Sequence, residues 1–275
     1  MYNVDSMKTF ELKNGNKIPC IGLGTWQLNG DTCTKAVIDA IDIGYRHVDT
    51  AEIYGNQQNV GEGIKKSGIN RKEIFLTSKV WRSNLHKQDV VDSCKETLEA
   101  MKVDYLDLFL VHWPNEEIEI KETLEAMELL KEEGLIKNYG VSNFTENDLD
   151  GTKGFEVVID QVEFHPSLYQ KKLKEYCDKR KIVIIAYSPL AQGVDLKLPE
   201  VVKISEKYKK STAQIVLNWL RQHNIVAIPR SSKKDHIKDN FISLDWDLEQ
   251  VDIEILDLLN KDMRIVNSAH ASWNK

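Results

Sequence analysis

The chain has 275 residues, 41% hydrophobic and 29% charged, a globular balance that excludes a disordered or fibrous polypeptide. Its formal net charge of −6 offers no global basic field, so neither nucleic acid nor anionic membrane is an expected partner. Cys20, Cys33, Cys94 and Cys177 follow no metal-binding spacing and read as free thiols of a reducing compartment.

The segment from Met1 to Phe10 is polar and lacks the apolar stretch of a signal peptide, and Met7 offers a second start. No apolar run is long enough to span a bilayer, so a cytoplasmic protein is expected. Asn14-Gly15 separates Phe10–Leu12 from Lys17–Pro19; that dipeptide tolerates positive φ and predicts a β-hairpin. Short β-rich runs then follow at Ile21–Gly22, His47–Asp49, Ile74–Lys79 and Leu106–Val111. Four more lie at Ile136–Val141, Val157–Gln161, Ile182–Tyr187 and Ile225–Ile228.

Helical patterns lie between these runs. Val90, Val91, Cys94, Leu98 and Met101 form one apolar stripe, and Ile215, Val216, Trp219 and Leu220 form another. The second helix opens at Ser211 with Gln214 three residues on, the pattern of a reciprocal capping box. An amphipathic helix over roughly Asp247–Leu259 follows the last unit. Eight β-runs, each followed by a helical segment, predict an α/β fold: a (β/α)8 TIM barrel, a single domain over residues 1–275, with an N-terminal β-hairpin and an extra C-terminal helix. A doubly wound open sheet shares this alternation, and pattern alone does not separate the two.

In a barrel, functional residues gather where strands end. The second run ends at Asp49, with Tyr54 in the loop beyond; the third ends at Lys79; His112 follows the fourth. A carboxylate, a phenol, an ammonium and an imidazole on one rim suit carbonyl reduction. The developing alkoxide needs an acid, and an ammonium beside a phenol is expected to lower the phenol's pKa. A carboxylate would hold Lys79 in place, and His112 could polarise the carbonyl oxygen.

Gly44-Tyr45-Arg46-His47-Val48-Asp49-Thr50-Ala51-Glu52-Ile53-Tyr54-Gly55-Asn56, with Gly61 downstream, resembles the first signature of the aldo-keto reductases. His112-Trp113-Pro114 and Gly140-Val141-Ser142-Asn143-Phe144 are similar to later blocks, and matches run in order from Gly22 to Asn240. The resemblance implies Tyr54 as the acid, Lys79 and Asp49 as its tuning pair, and His112 as the group that positions the substrate.

No GxGxxG fingerprint is present, since Gly22–Gln27 and Gly61–Lys66 both lack the third glycine. The resemblance implies instead an extended dinucleotide across the barrel mouth. It places Ser142, Asn143 and Gln161 on the nicotinamide carboxamide and Tyr187 on the ring. Ser188, Leu190 and Gln192 fall beside the pyrophosphate, and Gly24 and Thr25 on another cofactor-contacting turn. Arg230, Ser231, Ser232, His236, Asp239 and Asn240 fall at the adenosine end. That end departs from the family pattern, with Arg230 for Lys, His236 for Arg and Asp239 for Glu. NADPH is expected to be preferred, with NADH also accepted.

Trp26, Ile53, Trp81, His112 and Trp113 match substrate-pocket positions. The short tail from Lys261, with Met263–Asn267 and Trp273, resembles small prokaryotic 2,5-diketo-D-gluconate reductase-type members and is too short for a long lid. Expected substrates are small aldehydes, ketoaldehydes or keto sugars, and the resemblance implies a monomer. Two rival readings stand beside this one. The first is a cofactor-binding regulatory module, because fold does not fix function. The second is a metal-dependent barrel enzyme drawing on His47, His112 and His165, although these show no compact ligand motif and no metal is expected.

Overall fold

The computed structural model describes residues 8–274, the side chain of residue 274 excepted; the polar start at Met1 and the second start Met7 lie outside the described residues. β1 (Thr9–Glu11) and β2 (Lys17–Pro19) form the expected antiparallel hairpin, turning through Gly15 at φ 84°. The chain then runs β3 (Leu23–Gly24), α1 (Gly30–Ile43), β4 (His47–Asp49), α2 (Gln57–Lys66), β5 (Phe75–Val80), α3 (Lys87–Met101) and β6 (Leu108–Val111). It continues α4 (Ile120–Glu132), β7 (Tyr139–Ser142), α5 (Glu146–Asp150), β8 (Ile159–Glu163), α6 (Lys171–Lys179) and β9 (Val183–Tyr187). Last come α7 (Pro199–Tyr208), α8 (Thr212–Gln222), β10 (Val226–Ala227), α9 (Lys234–Phe241) and α10 (Gln250–Asp257).

β3 to β10 pair in sequence order, every pairing parallel. Parallel bridges from Ile21 to Ala227 and from Gly24 to Arg230 join the two outer strands. The sheet therefore closes, and the fold is a (β/α)8 barrel rather than an open sheet.

Two apolar clusters follow from strand alternation. Leu108, Leu110, Ile159 and Ile185 point inward with Phe75, Val226 and Ile228, and the hairpin residues Leu12 and Ile18 complete this inner cluster. Phe109, Val111, Val162 and Ile184 point outward against the helices. The period of two that sends Leu108 and Leu110 inward also sends His112 inward, and the same parity holds for Asp49, Lys79, Ser142, Gln161 and Glu163 on their strands.

Two expectations are corrected. Leu106 and Ile136 form only an isolated bridge ahead of β6 and β7, so those strands begin later than their apolar runs. At α8, Ser211 accepts from the Gln214 amide, but the Gln214 side chain donates to Asp239 instead of returning to Ser211, so only half of the capping box forms. A complete box is present at α5, between Thr145 and Asp148.

Gly61 lets α2 lie against the end of α3. A Cβ there would sit 2.1 Å from the Met101 carbonyl oxygen, a backbone atom that cannot swing aside. Gly61→Ala is expected to lower unfolding free energy by about 1–3 kcal/mol, the usual scale for overpacking. Denaturant midpoints check this, and an unchanged midpoint would show that the helices separate freely.

Candidate active site

The inward parity of the strand ends assembles the site. Lys79 is fully buried on β5, its Nζ 2.6 Å from Asp49 Oδ1 and 2.9 Å from the Thr50 carbonyl. Gln161, on the far side of the barrel, donates to Asp49 Oδ2 at 2.8 Å. Burial acts first on both partners, raising the Asp49 carboxyl and lowering the Lys79 ammonium, and their mutual attraction opposes it.

The loop beyond β4 brings Tyr54 above this pair, with Lys79 Nζ 5.1 Å from the ring centroid. Asn56 fixes that loop: it accepts from the Thr50 hydroxyl at 2.7 Å and donates to the Thr25 and Leu28 carbonyls at 2.8 Å. The expected lowering of the phenol's pKa is reversed in the resting site. Burial raises it well above the ordinary range, and the Asp49 charge adds to the effect. The physical reason is first that a phenolate there would be buried, and second that the Asp49 carboxylate stands beside the Lys79 ammonium, so Tyr54 faces a pair rather than a bare cation. The phenol therefore keeps its proton throughout the neutral range.

His112 meets Tyr54 edge-on, ring centroids 5.7 Å apart, and meets Trp81 edge-on at 5.3 Å. Burial and then the Lys79 charge hold its pKa well below the usual histidine value, so the ring is neutral. Nδ1 is buried without a hydrogen-bond partner, which leaves Nε2 as the nitrogen facing the cavity.

Beside this cluster the amides form a closed network. Asn143 Nδ2 donates to the His112 carbonyl at 2.9 Å and to Ser142 Oγ at 3.1 Å, and its Oδ1 accepts from the Tyr187 hydroxyl at 2.7 Å. Ser142 Oγ donates to the Gln161 carbonyl at 2.7 Å. Asn143 takes φ 66°, and beyond β9 Ser188, Ala191 and Gln192 take φ 45°, 47° and 51°. Such left-handed backbone is costly in non-glycine residues and concentrates at functional sites.

Asp49, Tyr54, Trp81, His112, Ser142, Asn143, Gln161, Tyr187, Ser188 and Gln192 line one cavity of about 730 Å³, whereas Lys79 lies behind its wall. Its wall includes the expected Gly24, Thr25, Trp26, Ile53, Trp81, Trp113, Ser188, Leu190 and Gln192, and it extends to Arg230, Ser231, Ser232 and His236. Asp239 and Asn240 do not line it. Asp239 instead receives the Ser211 hydroxyl and the Gln214 amide at 2.5 Å each, and Asn240 is buried in α9.

Sequence reasoning missed Leu196, Lys233, Val266 and Ser268, which also line the cavity. The short tail thus reaches the site: His270 meets Trp81 at 5.9 Å and Trp273 meets Trp113 at 5.7 Å. His47 is separate, 3.1 Å from Thr77 Oγ1, and His165 lies between two carboxylates. Among the described residues no cluster of His, Cys, Asp or Glu could hold a metal ion, and no helix is long and apolar enough to cross a membrane.

The family model described as the Aldo/keto reductase family matches residues 20–261. Glyoxal reductase of Bacillus subtilis (strain 168) is 43% identical over 261 residues, 94% of each chain. An aldo/keto reductase from Brucella melitensis superposes with a TM-score of 0.88 at 39% identity, covering 92% of this chain and 100% of the other. An aldo-keto reductase of Bombyx mori in complex with NADP gives 0.89 at 30% identity, over 94% of this chain and 95% of that one.

Two neutral buried rings make stability sensitive to acid. His112 is held well below 6.5, and burial, then Lys79, pushes His47 down to about 3. Below pH 6.5 the unfolded chain binds protons that these rings refuse, so stability falls as pH drops toward the folded values. Each ring contributes a slope approaching about 1.4 kcal/mol per pH unit. Denaturant unfolding of wild type and His47→Gln between about pH 6.5 and 5 measures this. A variant with the wild-type slope would show that His47 takes up its proton while folded.

Proposed function

The chain belongs to the aldo/keto reductase family and is an NADP-dependent oxidoreductase, and we propose that it reduces small aldehydes, ketoaldehydes or keto sugars with Tyr54 as proton donor. The observation that carries this reading is the buried Asp49–Lys79 pair beneath the Tyr54 ring, with neutral His112 edge-on to it. Similarity to a protein named glyoxal reductase supports a small carbonyl substrate.

The cavity residues fit an extended dinucleotide phosphate. At one end Arg230, Lys233 and His236 form no ion pair with any of the described residues, whereas neighbouring Lys234 is held by Asp39 at 3.0 Å. Arg230 offers a bidentate fork for a phosphate, and Ser231 and Ser232 offer hydroxyls. Ser142, Asn143 and Gln161 would hold the carboxamide, with Tyr187 against the ring and the Ser188–Gln192 backbone along the phosphates. The bound nicotinamide supplies hydride to the carbonyl carbon.

Every other task falls to the chain. His112 Nε2 orients the carbonyl oxygen toward Tyr54, and Tyr54 gives that oxygen its phenolic proton. The phenolate left behind faces Lys79, whose charge stabilises it while Asp49 and the Thr50 carbonyl keep the ammonium in place. Trp26, Ile53, Trp81 and Trp113 bury the apolar part of the substrate and exclude water. On this reading the enzyme acts as a cytoplasmic monomer on a diffusing small molecule.

Tyr54→Phe is expected to lower kcat for carbonyl reduction by about 10²–10⁴, the usual worth of a general acid. Cofactor affinity, read by fluorescence titration, should barely change. Lys79→Met should be comparably severe and the double variant little worse than either, because residues acting as one unit give non-additive losses. Steady-state kinetics on a panel of small carbonyls decide the matter, and near wild-type kcat in Tyr54→Phe would remove Tyr54 from the chemistry.

NADPH should be preferred over NADH, because only the 2′-phosphate distinguishes them and only the basic end of the cavity can meet it. His236→Arg places a permanent charge where an imidazole stands. The NADPH-to-NADH ratio of kcat/KM should rise about two- to fivefold, the range of an exposed ion pair. Arg230→Ala should lower it. Equal ratios in wild type and both variants would move the phosphate elsewhere.

A further inference from the structure

A second group of buried charges lies just past the catalytic cluster. Glu163, His165 and Asp195 are fully buried. His165 Nε2 lies 3.0 Å from Glu163 Oε1, and Nδ1 lies 3.0 Å from Asp195 Oδ2. An ionised carboxylate only accepts, so a neutral ring would satisfy one partner and turn a bare lone pair on the other. Both carboxylates already take further donors, as ionised groups do: Glu163 from two backbone amides, Asp195 from the amide and hydroxyl of Ser167. The imidazolium alone satisfies the whole set. Burial acts to lower the ring's pKa, but hydrogen bonds to Asp195 and Glu163 outweigh it and raise the value.

Each carboxylate grips a different wall of the cavity. Glu163 Oε1 accepts from the Ile265 amide at 2.6 Å, and Oε2 accepts from the Val266 amide at 3.0 Å. Val266 and Ser268 line the cavity, and the same tail carries Trp273 onto Trp113. Asp195 follows the Ala191–Gly193 turn, and Gln192, Gly193 and Leu196 of that segment line the same cavity. Ser167, bonded to Asp195, also accepts the Lys261 and Met263 amides on its carbonyl at 3.0 and 3.1 Å.

We propose that His165, as an imidazolium, is a positioning residue: it clamps the C-terminal tail and the 190–197 loop to the end of β8, so the two cavity walls are held and released together. The ionisable groups facing it are Glu163 from β8 and Asp195 from the turn after β9. Behind Glu163 stand Arg264 of the tail and Tyr187 of β9, and Asp262 faces Arg264. The folded pKa lies above the unfolded one. The clamp is therefore complete below the ordinary histidine value of 6.5 and is lost as pH rises through the folded value.

The test needs neither cofactor nor turnover, so failure of the carbonyl-reductase reading would leave it untouched. Amide hydrogen exchange, corrected for intrinsic rates, is measured on wild type, Asp195→Asn and His165→Gln. Asp195 has no hydrogen bond to the tail, yet Asp195→Asn should speed exchange at Ile265 and Val266 by at least about fivefold, the low end of intersite couplings. His165→Gln, which can donate to only one carboxylate, should loosen both segments. In wild type, Ile265, Val266, Gly193 and Leu196 should lose protection in one transition above pH 6.5. If Asp195→Asn loosens only the 192–196 segment, the coupling is wrong. Should the variants fail to fold, the wild-type exchange profile and imidazole ¹⁵N spectra still decide: a His165 ring already neutral at pH 6.5 overturns the proposal.

Discussion

An ammonium inside a barrel is the demand that organises this molecule. Lys79 is wholly removed from solvent, and an uncompensated charge there would cost several kcal/mol or lose its proton. Asp49 meets it from the neighbouring strand and the Thr50 carbonyl from the residue after. Asp49 in turn needs Gln161, 112 residues later in the chain, which only a closed sheet can deliver to the same point. The register of β4, β5 and β8 is thus tied to one ion pair, and a one-residue slip in any of them would send the partner to the helix side. Burial keeps His47 and His112 neutral, and the Lys79 charge adds to the effect, so the electrostatics of the rim depend in part on it as well.

The barrel interior is graded along its axis. At the hairpin end it holds Leu12, Ile18, Phe75 and Leu108; at the other it holds Asp49, Lys79, His112, Ser142 and Gln161. The apolar end supplies the burial that stabilises the fold, and at the polar end Asp49, Lys79, Ser142 and Gln161 are hydrogen-bonded internally while His112 Nδ1 has no partner. Close approach across the closing seam depends on Gly24, where a Cβ would stand 2.6 Å from the Ile228 carbonyl oxygen. A side chain there would push apart the wall that joins the first strand to the last.

Much of this was legible in the sequence because it depends on local rules. The Asn14-Gly15 turn, the alternation of eight β-runs with helical segments and the placement of Asp49, Tyr54, Lys79 and His112 at strand ends follow from short-range pattern; they gave the hairpin, an α/β fold that pattern alone left between barrel and open sheet, and the four rim residues. What stayed hidden depends on competition between distant groups. Asp239 looked like a ligand residue but is taken by Ser211 and Gln214, which is also why the α8 capping box is only half formed. The phenol's pKa moved opposite to expectation because Tyr54 is buried and the Asp49 charge adds to the effect. The tail was judged by length, when its reach is set by Glu163, an inward carboxylate at a strand end that needed donors from somewhere. That unmet need was the available signal.

The loop after β9 shows why a clamp belongs at this place. Ser188, Ala191 and Gln192 all adopt left-handed backbone, at a cost of about 1–3 kcal/mol each, within five positions of one another. Strain of that size relaxes unless both ends of the segment are fixed. One end is β9, paired to β8 and β10. The other is Asp195, buried and held by Ser167 and His165. A loop strained between two anchors has a second arrangement available whenever one anchor weakens, and here the weaker anchor is a titratable ring that also holds the tail. The polar chemistry that fixes the reacting groups is internal to the barrel wall. Shape at the mouth and chemistry at the rim therefore centre on two charge clusters, one around Lys79 and one around His165, and both draw on inward residues of β8, Gln161 and Glu163.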